Sequence, residues 1–247
     1  MQLERERVTG RSWAPPWVRH EHWARYRFAC DFVADRVAID CACSDGTSSR
    51  MLATRASEVR AYDASPEAID EARRANSVPN VTYEVADALE LPVPDGLAGA
   101  YVSLETIEHL SDATAFLREV VRVLAPSGVF VCSTPDREVY SPGNTIGSRP
   151  WNRFHIREYS QREFVELLSG SFDEVVLFGQ NPRSRWATRI KGFVGRRLSL
   201  RLVVRFNQAA KLPRLAYDRV EHHVVVPAKP NSRYEILVAV CRLRSLA

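Results

Sequence analysis

The sequence contains no apolar run near the roughly 20 residues that a membrane span needs. Its first residues, 1–7, are mostly charged and hold no apolar segment of the kind that signal peptides carry. Cysteine is scarce and odd in number: Cys30, Cys41, Cys43, Cys132 and Cys241. No second Cys or His pair stands at zinc spacing from Cys41 and Cys43. These absences predict a cytoplasmic protein with reduced thiols and no structural zinc.

Glycine is scarce at the turn where a nucleotide-binding loop is expected. Residues 37–41 form an apolar strand pattern, small residues follow, and helical spacing resumes after Gly46. Such a strand–turn–helix unit presents backbone N–H groups to a ligand. A dinucleotide fingerprint needs three glycines, whereas this turn has only Gly46 and also carries the acidic Asp45. An acid repels a pyrophosphate but is tolerated beside a sulfonium, so the turn favours S-adenosylmethionine (SAM) over NAD.

Apolar strand patterns alternate with helical spacing along most of the chain. Strands are predicted at 37–41, 58–63, 81–85, 98–103, 129–133, 172–178 and 234–241. Ser65-Pro66 opens one of the helices, and Ser160 with Glu163 forms a capping box at another. This alternation predicts an α/β fold with a doubly wound sheet. Asp40, Asp63 and Asp87 fall near the carboxyl ends of strands, where such sheets bind ligands.

Basic residues are concentrated in one stretch. Residues 183–219 hold eleven Arg or Lys residues and one acid, Asp218, in a chain whose net charge is +4. Such a local field suggests an anionic partner: phosphate, nucleic acid or a membrane surface. Apolar residues interleaved with arginine at 193–206 would suit an amphipathic helix on the inner face of a membrane. A solvated basic face over the sheet edge is the alternative.

Five segments resemble, in order, the motifs of class I SAM-dependent methyltransferases. They are Asp40–Gly46, Asp87–Ala88, Glu105–Leu110, Arg122–Gly128 and Ser133–Asp136. The resemblance covers residues 20–180 and the final strand. It implies a Rossmann-like sheet of seven strands, mostly parallel with an antiparallel last strand. One departure is that Ala42 and Ser44 stand where the family usually has its first two glycines.

The resemblance also implies cofactor contacts. Ala42, Ser44 and Gly46 would pass under the methionine moiety of SAM. Asp63 would hold the ribose, an acid position that NAD enzymes share, and Asp87 would hold the adenine amino group. The full predicted set is Arg25, Tyr26, Asp40, Ala42, Ser44, Gly46, Asp63, Ala64, Asp87, Ala88 and Ser103. Arg25 or Tyr26, on a leading helix over the cofactor, could meet the SAM carboxylate, with simple helix packing as the alternative for Tyr26.

The same resemblance divides a single domain into four parts. Residues 1–36 would be a lead-in and cofactor-covering helix, and 37–180 the SAM-binding core. Residues 181–231 would be a basic insert over the acceptor side. Residues 232–247 would supply the final strand of the core sheet.

The acceptor chemistry is expected beyond the fourth strand. Glu105, Glu108 and His109 are three and four residues apart, so one helical turn would place them on one face. His155 follows the fifth strand and could reach the same cleft. His109, His155 or Glu105 would act as the base that an alcohol nucleophile needs. The four residues together would instead suit Mg²⁺ or Mn²⁺, and Zn²⁺ less well. A helix cap or a backbone hydrogen bond is the structural alternative.

Residues 133–135 and 154–160 resemble methyltransferases of sugar and polysaccharide biosynthesis. The resemblance implies O-methylation of a sugar hydroxyl on a glycan or glycosylated metabolite, with an anionic or phosphate-bearing acceptor. The alternatives are ribose 2′-O-methylation of RNA and methylation of a quinone-like phenol, since both kinds of enzyme carry similar E-x-x-E-H blocks. A catalytically silent SAM-binding module and a nicotinamide oxidoreductase also stay open. The sequence leaves the oligomeric state undetermined.

Overall fold

The computed structural model describes residues 16–186, 188–189, 224–229 and 232–243. The helices are α1 (Pro16–Cys30), α2 (Thr47–Ala53), α3 (Pro66–Ala75), α4 (Ala113–Val123), α5 (Arg137–Tyr140) and α6 (Gln161–Ser169), with one 3₁₀ turn at Ile107–His109. The strands are β1 (Val37–Cys41), β2 (Glu58–Asp63), β3 (Val81–Val85), β4 (Ala98–Leu104), β5 (Leu124–Pro135), β6 (Glu174–Arg183), β7 (Val225–Pro227) and β8 (Arg233–Arg242).

The strands form one sheet in the order β3-β2-β1-β4-β5-β8-β6-β7. The first five strands in this order, β3, β2, β1, β4 and β5, are parallel to one another. Strand β8 inserts antiparallel between β5 and β6. The structure thus confirms the Rossmann-like, mostly parallel sheet with an antiparallel last strand. It has eight strands rather than seven, because the short β7 pairs with β6 at the edge.

Local signals place several helix starts where the sequence predicts them. The Ser65 hydroxyl accepts the Ala68 N–H at 3.2 Å, and Pro66 occupies the first helical position of α3. Ser160 and Glu163 complete the predicted capping box of α6. These caps satisfy backbone N–H groups that have no partner inside the helix.

The fifth strand begins earlier than the predicted 129–133. Leu124 already pairs with Ala98 before the register shifts, and Ser127 has a left-handed φ of 64°. The turn residues 126–128 therefore form an irregularity inside β5 rather than a break between a helix and a strand.

Two apolar layers cover the sheet. On one face α1, α2 and α3 contribute buried residues such as Tyr26, Leu52 and Ile69. On the other face α4 and α6 contribute Phe116 and Phe164. Because parallel strands buried on both faces end at one edge, this packing leaves their carboxyl ends as the place for a ligand cleft.

Three further observations concern the basic segment, membrane spans and the cysteines. Most of the basic segment 183–219, with its proposed membrane contact, lies outside the described residues. Among the residues that are described, no helix combines the length and apolar character that crossing a membrane would take. All five cysteines are free thiols.

Candidate active site

A cleft of about 440 Å³ opens at the carboxyl edge of the parallel strands. It reaches from the residues after β3 to the end of β5, across the β1–β4 boundary where the order of strands reverses. The predicted residues that line it are Arg25, Ala42, Ser44, Asp63, Ala64, Asp87, Ala88, Glu105, Glu108, His109 and His155. Tyr26, Asp40, Gly46 and Ser103 do not line it.

The turn after β1 is built from residues in left-handed backbone conformation. The φ angles are 65° at Ala42, 52° at Ser44 and 75° at Gly46. Asp63 fixes this turn to the next βα unit, because its carboxylate accepts the N–H groups of Ser44 at 3.0 Å and Ser65 at 2.9 Å. Ala42 and Ser44 thus adopt the glycine-type geometry with side chains that cost conformational strain.

Gly46 has a packing reason to be glycine. A Cβ built there would lie 2.5 Å from Cε1 of Tyr83. The Tyr83 hydroxyl donates to the carbonyl oxygens of Gly46 at 3.3 Å and Asn76 at 3.0 Å, which holds the ring against the turn. Gly46 therefore allows the Tyr83 ring to pack against the turn, and it does not line the cleft.

Asp40 also supports the turn without lining the cleft. Its buried carboxylate accepts hydrogen bonds from the Tyr26 hydroxyl at 2.9 Å and from Ser49 Oγ at 2.7 Å. Burial raises the pKa of Asp40 to about 6, and the two hydroxyl donors oppose that rise. The network ties α1 and α2 to the end of β1. Ser103 is likewise buried in β4, and its hydroxyl has no hydrogen-bond partner among the described residues.

Arg25 brings a buried positive charge to the cleft wall. The residue is 4% exposed. Its guanidinium donates to Gln180 Oε1 at 2.6 Å and lies 3.3 Å from His22 Nδ1, and its Nε atom has no partner within the described part of the chain. Burial and this cation lower the pKa of His22 to about 3. A buried cation held by neutral groups suits a ligand carboxylate.

The predicted helical face of Glu105, Glu108 and His109 does not form. Glu105 has a φ of 56° and the 3₁₀ turn begins only at Ile107, so its carboxylate instead accepts from Ser133 Oγ at 2.9 Å. The structure brings together Glu108, His109 and His155, whose potential ligand atoms lie within 4.8 Å of one another. Glu108 is 1% exposed and accepts from Thr134 Oγ1 at 3.0 Å.

Hydrogen bonds fix the proton position on both imidazoles. Nδ1 of His109 lies 3.0 Å from the Phe154 carbonyl oxygen, which can only accept, so the neutral ring carries its lone pair on Nε2. The Asn152 amide oxygen accepts the Phe154 N–H, so its nitrogen donates to Nε2 of His155 at 2.8 Å. Nδ1 of His155 then donates to Glu158 at 2.7 Å.

Sequence reasoning missed several residues of the cleft and its support. Asn152 and Glu158 each stand three residues from His155, a spacing that offered a local signal. Gln180 offered none, because it lies 155 residues from Arg25 along the chain. Tyr140 and Ile236 also line the cleft, and they reach it through α5 and β8.

Residues 39–132 match the family model described as a methyltransferase domain. This part of the chain is therefore similar to SAM-dependent methyltransferase domains. It is 34% identical over 176 residues to a probable SAM-dependent methyltransferase of Mycolicibacterium smegmatis. That match covers 68% of this chain and 65% of the relative, so the chain spans slightly less than two thirds of the relative's length.

Two further comparisons give one related sequence and one related fold. A ubiquinone/menaquinone biosynthesis C-methyltransferase of Caulobacter is 37% identical over 107 residues, which are 39% of this chain and 42% of that protein. The fold resembles a solved SAM-dependent methyltransferase from Thermotoga maritima with a TM-score of 0.63 at 13% identity. The resemblance covers 92% of this chain and 93% of that one.

The cleft fits SAM, the cofactor of SAM-dependent methyltransferases. Two buried polar atoms on its wall, Ser44 Oγ and Arg25 Nε, have no hydrogen-bond partner among the described residues. Asp63 lies at the end of β2, where an acid can hold ribose hydroxyls. Buried polar groups are normally paired, so these atoms are consistent with a polar ligand.

Proposed function

We propose that this chain is a SAM-dependent O-methyltransferase that methylates a sugar hydroxyl of a glycan or glycosylated metabolite. The observation that carries the proposal is His109, whose Nδ1–H is held by the Phe154 carbonyl while its ring lines the cleft. That arrangement leaves the Nε2 lone pair for a proton. A hydroxyl is a weak nucleophile until its proton is removed, so a positioned base suits an alcohol acceptor.

In this proposal each of four cleft residues has a separate role or supports another's. SAM, when bound, supplies a methyl group from its sulfonium. Arg25 binds the carboxylate of the cofactor and Asp63 its ribose. The proton of the acceptor hydroxyl moves to Nε2 of His109, and the neighbouring Glu108 carboxylate stabilises the imidazolium that results. A base of this kind contributes roughly 10²- to 10⁴-fold to a rate.

The support for a sugar acceptor comes from the cleft and from the sequence. Thr106 and Asn152 line the cleft, Asn152 in contact with His155, and such side chains can hydrogen-bond hydroxyl groups. The segments 133–135 and 154–160 resemble enzymes of polysaccharide biosynthesis. The second candidate acceptor is a quinone-like phenol. The similarity to the Caulobacter enzyme favours an acceptor of the quinone class, although that enzyme is named for methylation at carbon.

A divalent metal is a second way to activate the same hydroxyl. Glu108, His109 and His155 offer one oxygen and two nitrogen donors within 4.8 Å. Each imidazole donates its Nδ1–H to an oxygen, as metal-bound histidines do. Mg²⁺ prefers oxygen ligands, so this donor set suits Mn²⁺ or Zn²⁺ better. Asn152 would have to release Nε2 of His155 for all three to bind an ion.

The test is methyl transfer from labelled SAM to a panel of glycans, RNA and phenols, together with SAM binding by calorimetry. His109→Gln is expected to lose at least about 100-fold in turnover while it keeps its SAM affinity. His20→Gln, on α1 outside the cleft lining, is the matched control. Unchanged turnover of His109→Gln on every acceptor would contradict the base assignment.

Other outcomes of the same assay separate the alternatives. Transfer only to RNA or only to phenols would replace the sugar acceptor. Loss of turnover in chelator with recovery in Mn²⁺ or Zn²⁺ would establish the metal route, and full turnover in chelator would leave His109 as a metal-free base. SAM binding without transfer to any acceptor would identify a silent binding module.

A further inference from the structure

A second cavity of about 350 Å³ lies beside the SAM cleft. Four arginines line it, Arg137, Arg185, Arg189 and Arg233, together with one acid, Glu138. Its volume lies within the range of small-molecule sites, about 300 to 1,000 Å³. The cofactor contacts do not use this cavity, because none of these five residues lines the SAM cleft.

Two of the four arginines are already neutralised. Arg137 donates to both carboxylate oxygens of Glu163, at 2.9 and 2.7 Å. Arg233 donates to Glu138 at 2.6 Å. These pairs are partly buried, with 11% of the Arg137 side chain and 17% of the Arg233 side chain exposed. They hold two guanidinium groups in fixed positions on the cavity wall.

The other two arginines have no counter-charge among the described residues. Across the described ranges, neither Arg185 nor Arg189 forms an ion pair or a side-chain hydrogen bond. The Thr188 N–H donates to the Ser184 carbonyl at 3.1 Å, so this stretch makes a helical turn. Residues four apart on a helical turn share a face, and like charges at that spacing repel. Counted over the described residues, the four arginines exceed their carboxylate partners Glu138 and Glu163 by about two positive charges.

This set of donors matches a phosphate group. A guanidinium presents a planar fork of N–H donors that binds phosphate or carboxylate oxygens in pairs. Several converging guanidinium groups favour a ligand with many anionic oxygens, such as a pyrophosphate or a phosphate ester. An anion there would also relieve the repulsion between Arg185 and Arg189.

The position of the cavity relates it to the acceptor. Arg137 lines the cavity and Tyr140, three residues later on α5, lines the SAM cleft. Three residues of helix rise only about 4.5 Å. The loop after α5 is shared in the same way, with Asn144 in the cavity and Asn152 in the cleft. One short helix and its loop thus separate the two sites.

We propose that the arginine cavity binds a phosphate group of the methyl acceptor and thereby selects phosphate-bearing sugars. The acceptor part of this inference rests on the proposed function, whereas the anion site itself does not. Arg137 and Arg233 form the fixed wall, and Arg185 and Arg189 supply the unpaired charges that bind the phosphate oxygens. The sugar hydroxyls extend past α5 toward His109.

The test is calorimetry on the full chain at fixed ionic strength with glucose 1-phosphate, inorganic phosphate and pyrophosphate as probes. The double variant Arg185→Gln/Arg189→Gln is expected to bind each probe at least tenfold more weakly. Arg118→Gln, an exposed arginine on α4 away from both sites, is the matched control and should bind as the unaltered chain does. Thermal unfolding of each variant checks that the fold is kept.

The outcomes distinguish this inference from the methyltransferase proposal. Unchanged probe affinity in the double variant, or no probe binding by the unaltered chain, would overturn the anion site. Pyrophosphate that competes with SAM would also overturn it, because the probe would then occupy the cofactor cleft. Inorganic phosphate that binds as tightly as glucose 1-phosphate would overturn the acceptor part. Failure of SAM binding with intact probe binding would reject the methyltransferase proposal and leave the anion site standing.

Discussion

Replacing Ala42 with glycine is expected to stabilise this protein. Ala42 has a φ of 65° in the turn after β1, where its Cβ crowds the backbone. A left-handed conformation costs an L-residue about 1–2 kcal/mol, and glycine avoids that cost because it has no Cβ. The same reasoning applies to Ser44, whose φ is 52°.

The expected magnitude combines two opposing effects. Removing the strain gains about 1–2 kcal/mol. Glycine also gives the unfolded chain more freedom, which costs about 0.4–1 kcal/mol. The net gain for Ala42→Gly then lies between about 0 and about 1.6 kcal/mol in the free energy of unfolding. The midpoint of about 0.8 kcal/mol corresponds to roughly 2–3 °C in Tm for a domain of this size. Ser44→Gly is expected to gain more, about 1–2 kcal/mol, because its buried hydroxyl lacks a partner among the described residues.

The assay is urea denaturation and thermal unfolding, each with and without SAM. Ala64→Gly is the matched control, since Ala64 lines the same cleft without left-handed backbone, and it should lose about 0.4–1 kcal/mol. The rise in Tm on adding SAM should be unchanged in Ala42→Gly. It should be smaller in Ser44→Gly if the Ser44 hydroxyl binds the cofactor.

One result would refute the reasoning. If Ala42→Gly and Ser44→Gly lost stability by the same amount as Ala64→Gly, the turn would not hold the left-handed geometry that the structure gives it. The argument that alanine and serine stand in the turn after β1 at a cost in strain would then fail.

Three further predictions test the support around the cleft. Gly46→Ala should lower the free energy of unfolding in urea by about 2–3 kcal/mol or more, because the new Cβ would meet the Tyr83 ring at 2.5 Å. A loss below about 1 kcal/mol would contradict the packing argument. Tyr26→Phe should cost about 1–3 kcal/mol at pH 8, because it removes a 2.9 Å hydrogen bond to the buried Asp40, and an unchanged urea midpoint would refute this. Burial raises the pKa of Asp136 to about 7. Between about pH 4 and 7 the native state therefore holds a proton that the unfolded chain has lost. The free energy of unfolding falls as the pH rises through this range. Asp136→Asn should therefore remove about 2–3 kcal/mol of the decline in stability between pH 5 and pH 8, and an equal decline in both proteins would argue against a buried acid there.

Much of the cleft at the strand ends was predictable because its signals are local. The alternation of strand and helix patterns needs only short windows of sequence, and parallel βα units bring the strand ends to one edge. Asp63 and Asp87 could therefore be assigned to the cleft before the structure. The helix caps at Ser65 and Ser160 were also predictable, because each cap is made within four residues.

The contacts of individual residues within that site were predicted less well. Asp40 and Gly46 were predicted as cofactor contacts, and the structure places both behind the turn, one bonded to Tyr26 and the other packed on Tyr83. Sequence spacing put Glu105 on a helical face with His109, but a left-handed φ at Glu105 turns its carboxylate to Ser133. Periodicity does not report such single-residue changes of backbone direction.

The sequence by itself determined the βα framework, the small-residue turn and the acids at the strand ends, since each depends on neighbours within a few residues. Only the tertiary structure decided which distant groups meet. It inserted β8 between β5 and β6, brought Gln180 to Arg25 and brought Arg233 and Arg137 into the lining of one cavity. These contacts join segments far apart in the chain, and they follow from strand pairing and core packing, which no local pattern encodes.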